Sequence, residues 1–427
     1  MTNQESWLRI ASAVDVNKVI RWALELAEIY SPTGSENAVA EYLHGEYRKI
    51  GLHSKLQPVA PQRCNAIARL QGTGGGYSLM LNCHLDTFLL GNPQRRFHFA
   101  KRGGKDGVTD RPIKALQIDE HWLTGQEIGN MKCAMAAYLG AIDAIIRSEL
   151  DLKGDIILAG VVGADPTPAW AESTSNDQGD QIGVGTKFML NNGIYADMCI
   201  LGEPTSLGVA LAPFGRVRLK VTSIGTGIDQ FELTSEIVSA FESWRSEYGK
   251  AHTFHNLQPS LSIAGVHFQP ASSESSVYLE LRTTPHQNSL AAVDEVREVL
   301  SRLQKHNSPV ETIVEPLMIE PSTVVAPDQP VVRSLFQAHT RVCGTQPQIL
   351  YVPWSGDANR LNQSGIPTVI YGPGWNIGSK GYKGDTSYNA MNYQNIDDLV
   401  SATRVYSLMM ADIATRSRAG TRHPDAD

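Results

Sequence analysis

A chain of 427 residues and 46.6 kDa is too long for one ordinary core, so two domains are expected. With 42% apolar and 19% charged residues it is neither disordered nor fibrous, and a formal charge of −7 without a Lys/Arg run gives no basic field for nucleic acid. No apolar run reaches the length of a membrane span and Met1 to Trp7 lacks a signal-peptide pattern, so the expectation is a cytoplasmic protein with a small-molecule partner. Cys64, Cys83, Cys133, Cys199 and Cys343 form no CxxC pair and read as small buried hydrophobes.

Taken in order, the chain begins with two helix-like stretches between residues 14 and 50, separated by Ser31-Pro32-Thr33-Gly34-Ser35, with Ser35 as the expected N-cap of the second. Strands are predicted at Asn65 to Leu70 and Tyr77 to Asn82, a helix from Met131 to Ile146, and a strand from Asp155 to Val162. The apolar run from Leu79 ends in Cys83-His84-Leu85-Asp86-Thr87. In an extended chain residues i and i+2 share a face, so His84 and Asp86 address one site while Leu85 turns into packing. The segment from Pro93 to Arg111 reads as a solvated loop.

From Gly215 the texture becomes that of a second α/β unit. Arg216 to Val221 alternates, a helical stretch covers Ile237 to Trp244, Val277 to Arg282 alternates again, and Ala291 to Leu303 is helical. Strands at Gln348 to Val352 and Thr368 to Tyr371 return to the first texture. The expected fold is therefore α/β. Residues 1–213 and 327–416 form a catalytic mixed-sheet domain with helices on both faces, 214–326 an inserted smaller lid, and 417–427 a tail.

Seven stretches, in order, resemble the zinc-dependent family that includes acetylornithine deacetylase, succinyl-diaminopimelate desuccinylase, aminoacylase and carboxypeptidase G. They are Ser31-Pro32-Thr33-Gly34, Cys83 to Thr87, Gly129-Asn130-Met131-Lys132 with the helix after it, Ala196 to Thr205, Leu281-Arg282-Thr283-Thr284-Pro285, Gly356-Asp357-Ala358-Asn359, and Gly365 to Thr368 with Tyr371 to Gly374. The resemblance implies a catalytic domain with a lid that commonly dimerises. It also implies two divalent ions that share a bridging carboxylate and clamp a tetrahedral intermediate, and a Glu that takes a proton from bound water.

Carried over by position, His84 falls on a metal ligand, Asp86 on the carboxylate that orients it, and Glu203 on a ligand to the same ion. The pattern then departs from the family. Asn130 stands for the bridging carboxylate, Ala164-Asp165 for the Glu pair, Tyr388 for the last His, and Ile228-Asp229 for the lid His. Two ions are therefore not expected. One weakly held Mn, Zn or Co ion on His84, Glu203 and Asn130 is, with Asp86 or Asp165 relaying the proton and Arg282, Tyr388 and Asp357 meeting the substrate. A planar guanidinium at Arg282 suits bidentate capture of a substrate carboxylate.

The function so implied is metal-dependent hydrolysis of a C–N bond in a small carboxylate-bearing substrate. Within it, hydrolytic deamination of an aminoaromatic acid of the 5-nitroanthranilate type is preferred, because an electron-poor ring can itself take up the negative charge. The alternatives are an N-acyl amino acid amidohydrolase and an inactive ligand-binding homologue. A homo-oligomer built through the lid is expected.

Overall fold

The structure, a computed structural model, describes residues 4–87, 113–164, 183–224, 230–269, 274–304, 311–375, 380–384 and 388–418. Eight strands form the main sheet, in the spatial order His53–Ala60, Arg63–Leu70, Ile156–Val161, Leu79–His84, Met198–Leu201, Thr368–Ile370, Val209–Pro213 and Ile349–Val352. The four strands from Ile156–Val161 to Thr368–Ile370 run parallel, and antiparallel pairs flank them. A parallel strand must be covered on both faces. Leu79, Leu81 and Cys83 accordingly face a core with the helices Val16–Glu28, Cys133–Arg147 and Ile396–Ala414, while Met80 faces Met189, Leu190 and Leu361 on the other side. The mixed sheet with helices on both faces is the fold read from the sequence.

The second sheet holds Leu261–Gln269, Glu274–Thr283, Gly215–Ile224 and Glu311–Glu320, all antiparallel. Its alternation separates two faces. Val217, Leu219, Val221, Leu279 and Leu281 pack with Ile237, Phe241, Val293 and Val296 of the helices Gln230–Ala251 and Ser289–Gln304. Arg216, Arg218, Glu280 and Arg282 point the other way. The chain enters this lid through Phe214 and leaves it through Thr323. Asn359, fully buried on the short helix Asp357–Gln363, donates to Phe214 O at 2.8 Å and accepts from Thr323 Oγ1 at 2.8 Å, so one side chain ties both crossings to the helix that carries Asp357.

Two local expectations change. Ser35 does not cap a helix. Its N–H bonds Pro32 O in a turn, and the helix Asn37–Lys49 begins behind Glu36, whose carboxylate is drawn instead into a buried two-point pair with Arg63 at 2.7 and 3.0 Å. Ser417 and Arg418, assigned to the tail, are tied down, Ser417 by a bridge to Gly76 and Arg418 by Asp197. The segment from Pro93 to Arg111 lies outside the described residues.

Candidate active site

Because Leu79–His84 lies between two parallel neighbours, the C-terminal ends of three strands meet at one edge of the sheet, where crevices of open α/β sheets form. His84 ends its strand there and Glu203 follows Met198–Leu201 by two residues. His84 is buried, and its Nδ1 donates to the main-chain O of Asp86 at 2.8 Å. That contact fixes the ring, and Nε2 faces Glu203 Oε1 at 3.9 Å. The nearer partner of His84 is thus the Asp86 carbonyl, with the Asp86 carboxylate at 3.5 Å. The carboxylate is gripped from elsewhere: Thr33 Oγ1 donates to it at 2.8 Å and Ala164 N at 3.1 Å.

The Ser31-Pro32-Thr33-Gly34 stretch explains this arrangement. Ser31 Oγ donates to Leu85 O, Thr87 N donates to Ser31 O, and Lys132 Nζ donates to Ser31 Oγ at 2.6 Å. The loop therefore clamps the turn that bears His84 and Asp86. Lys132, at 1% exposure, stands at the start of the Cys133–Arg147 helix. Burial pushes its ammonium down to about 8, against the pull of Glu127 and Asp86. Sequence reading passed over Lys132, Thr33 and the buried Glu127. Glu127 holds a left-handed backbone (φ 47) just before Asn130, which is a costly conformation for a residue with a Cβ.

Charge follows this geometry. Burial alone would lower the pKa of His84, but the carboxylates of Asp86, Glu203 and Asp357 raise it to about 9. Burial raises Glu203, with His84 opposing. Asp86 ends up lowered despite burial, because His84, Ala164 N–H and Thr33 hold its anion.

A lone divalent ion is the group the sequence calls for, and the two donors that meet at this edge, an imidazole nitrogen and a carboxylate, suit one in kind. Asn130 is buried, its Oδ1 has no hydrogen-bond partner, and its Nδ2 meets only Met391 Sδ at 3.7 Å. An orphaned buried amide oxygen is a costly feature to keep without a partner. Among the described residues no three His, Cys, Asp or Glu side chains converge as a metal cluster.

In the lid, Arg282 Nη1 donates to Ser355 Oγ at 2.8 Å, joining the lid to the loop before Asp357. Glu280 is shared. Arg218 Nε reaches Oε2 at 2.9 Å, Arg282 Nη2 lies 3.2 Å from Oε1, and Arg216 Nε lies at 3.6 Å. Glu280 is consequently held down to about 2 by the three guanidiniums, against its burial. Arg282 is pushed down to about 9 by burial and by Arg216. Arg216 is buried, and its Nε and Nη1 make no hydrogen bond. Glu320, opposite Arg216 on the neighbouring strand, adds a second buried carboxylate to this face and also stabilises the Arg282 cation.

Asp357 is buried, and burial raises its carboxyl to about 6, with Arg360 opposing. Tyr388 opens the 3-10 turn Tyr388–Asn392. Asp165 and Ile228-Asp229 lie outside the described residues. A cavity of about 1070 Å³ opens beside the segment after Glu203, with Pro204, Trp122, Trp354, Trp375 and Lys380 among its walls.

No protein-family model matches the chain. Two curated relatives, N-formyl-4-amino-5-aminomethyl-2-methylpyrimidine deformylases, are alike over most of their length. The Bacillus subtilis protein is 22% identical, covering 80% of this chain and 83% of its own, and the Halalkalibacterium halodurans protein is 23% identical, covering 84% and 88%. Among solved structures, a tripeptidase from Staphylococcus aureus superposes with a TM-score of 0.68 at 18% identity, covering 93% of this chain and 99% of its own. A dinuclear metal-binding peptidase of the M20 family from Bacillus subtilis does so at 0.63 and 13%, covering 93% and 98%. The chain has the M20 metallopeptidase fold with its lid. The sequence motifs resemble those of the same metallohydrolases, and the likeness to the solved structures is one of fold.

Proposed function

We propose that the protein is a metal-dependent hydrolase that cleaves a C–N bond in a small carboxylate-bearing substrate, working with a single ion. The observation that carries this reading is the placement of His84 Nε2 against Glu203, fixed by the Nδ1 bond to Asp86. The sequence relatives support the reaction type, since their names describe removal of a formyl group from nitrogen.

His84, Glu203 and Asn130 would hold the ion. When bound, it supplies a water of lowered pKa and a Lewis acid for the bond under attack. The chain's own residues do the rest. Asp86 stays an anion and fixes His84, Arg282 takes the substrate carboxylate, and Ser355 fixes the guanidinium that does so. The preferred substrate is an aminoaromatic acid of the 5-nitroanthranilate type. Such a ring accepts hydroxide into a charged adduct and leaves less for a second cation to stabilise, which suits a site where Asn130 replaces a bridging carboxylate. Oligomerisation through the lid has a surface to use: the edge strand Leu261–Gln269 exposes Val266 and Phe268, and Phe268 stacks at 5.9 Å on exposed Phe231.

The test is turnover by chelated protein resupplied with Mn²⁺, Zn²⁺ or Co²⁺, assayed on substituted anthranilates and N-acyl amino acids. Metal-dependent release of ammonia from the former is expected. Turnover of the latter alone would move the reading to an N-acyl amino acid amidohydrolase, and no turnover of either to a ligand-binding homologue.

A further inference from the structure

Three helices, Gln4–Ser12, Pro330–Cys343 and Ile396–Ala414, enclose a cavity of about 650 Å³ that shares no wall with the site around His84. That volume is in the range of small-molecule sites. Helical spacing builds its walls. Leu8 and Ser12 lie one turn apart on the first helix, and Arg404 and Leu408 one turn apart on the third. Leu408 belongs to the main core, whereas Leu8, on the opposite wall, is 64% exposed. Ala11 and Val342 complete an apolar lining that is aliphatic apart from Trp7.

The charge on these walls is of one sign. Arg341 and Arg404 line the cavity, and among the described residues no carboxylate does. The sequence explains why neither guanidinium is neutralised by its own helix. Positions three and four away from Arg341 hold Gln337, Ala338, Gly344 and Thr345, and those around Arg404 hold Val400, Ser401, Ser407 and Leu408. Neither arginine forms an ion pair among the described residues. Arg147, Arg302 and Arg416 differ in this respect, each being paired with an acid one turn before it. Arg341 instead lies over the Trp7 ring, 4.1 Å from its centroid. A stacked guanidinium keeps its N–H edge available to a carboxylate. One face of the indole is thereby taken, so the remaining apolar walls offer a flexible chain more contact than a flat ring.

We propose that this three-helix cavity is a second binding site of the protein and takes an aliphatic monocarboxylate, its head group held by Arg341 and Arg404 and its chain lying along Leu8, Val342 and Leu408. The site stands apart from the cleft, whatever bond the cleft hydrolyses.

Calorimetric titration of the full chain with octanoate and with octanamide compares an acid and a neutral amide of the same chain length. Wild type is expected to bind octanoate at least about tenfold more tightly, the usual worth of a hydrogen bond to a charged group. Arg341→Gln and Arg404→Gln should each weaken octanoate by at least about tenfold. Arg302→Gln on a lid helix and Arg282→Gln in the cleft should leave it unchanged. Ala11→Trp, which fills the cavity from the first helix, should abolish binding with an unchanged circular dichroism spectrum, and so tests the site even if an arginine variant fails to fold. Wild type that binds the two compounds alike, or binds neither, overturns the proposal. So does octanoate binding that survives both arginine substitutions, or that is lost in Arg282→Gln alone, which would place the acid in the cleft.

Discussion

His84 Nδ1 donates to the carbonyl of Asp86, two residues further along its own chain, at 2.8 Å. A main-chain acceptor cannot take up a proton, so this contact fixes Nδ1 as the protonated nitrogen and leaves Nε2 as the one that can coordinate. The carboxylates around it set the cost of doing so. With its pKa raised to about 9, His84 is a cation at neutral pH in the metal-free protein, and an ion must displace its proton. Divalent-ion affinity should therefore strengthen about tenfold per pH unit from pH 7 toward 9, with close to one proton released per ion. Calorimetry in buffers of different ionisation enthalpy measures both, and affinity flat across that range would contradict the assignment.

Folding stability has the opposite slope. The folded pKa of His84, about 9, lies above its ordinary value of 6.5, so its contribution is complete below pH 6.5 and lost as pH rises through 9. Chemical denaturation of the metal-free protein should show a fall in stability across that window. His84→Gln should flatten it.

Thr33 touches no expected ligand, yet its hydroxyl donates to Asp86 at 2.8 Å. Thr33→Val keeps the shape and removes the donor. By the usual effect of partners behind a metal ligand, ion affinity should fall about 10-fold to 100-fold with little change in melting temperature. An unaltered dissociation constant would show that Asp86 needs no such support.

Asn130 carries an orphaned buried oxygen where a relative's bridging carboxylate is expected. Asn130→Asp restores an anion at that position and should tighten the first ion by at least about tenfold. Unchanged affinity in a titration monitored by electron paramagnetic resonance of Mn²⁺ would show that residue 130 does not face the ion.

Asp357 keeps a carboxyl raised to about 6 by burial, well above its ordinary 3.8. A raised acid stabilises the fold only below its unfolded pKa, and that contribution is lost as pH rises through 6. Asp357→Asn should therefore stabilise the protein at pH 7.5, by on the order of 2 kcal/mol, and leave it nearly unchanged at pH 4. Equal effects at both values would show that the carboxyl is not perturbed.

The strand into His84, the segment to Glu203 and the lid's alternating strands were legible because each is local: an apolar run, a motif at its end, a period of two. What escaped was long-range. Nothing near Lys132 in sequence says that its ammonium is buried on Ser31, 101 positions away, and Thr33 read as part of a turn although its hydroxyl serves Asp86, 53 positions on. Ser35 looked like a cap because its neighbours do, but the Glu36–Arg63 pair sets the start of that helix across 27 positions. Trp354 and Trp375 lie just outside the stretches Gly356 to Asn359 and Tyr371 to Gly374 and carried no signal of their own; only the fold brings their rings together.

The central claim is one ion on His84 and Glu203, and metal stoichiometry with turnover tests it most directly. Chelated wild-type protein titrated with Mn²⁺ should bind one ion per chain and regain C–N hydrolysis in proportion, while His84→Ala should bind none and stay inactive and Cys133→Ser should match wild type. Two ions per chain at saturation, or a His84→Ala protein that still binds and hydrolyses, would contradict it.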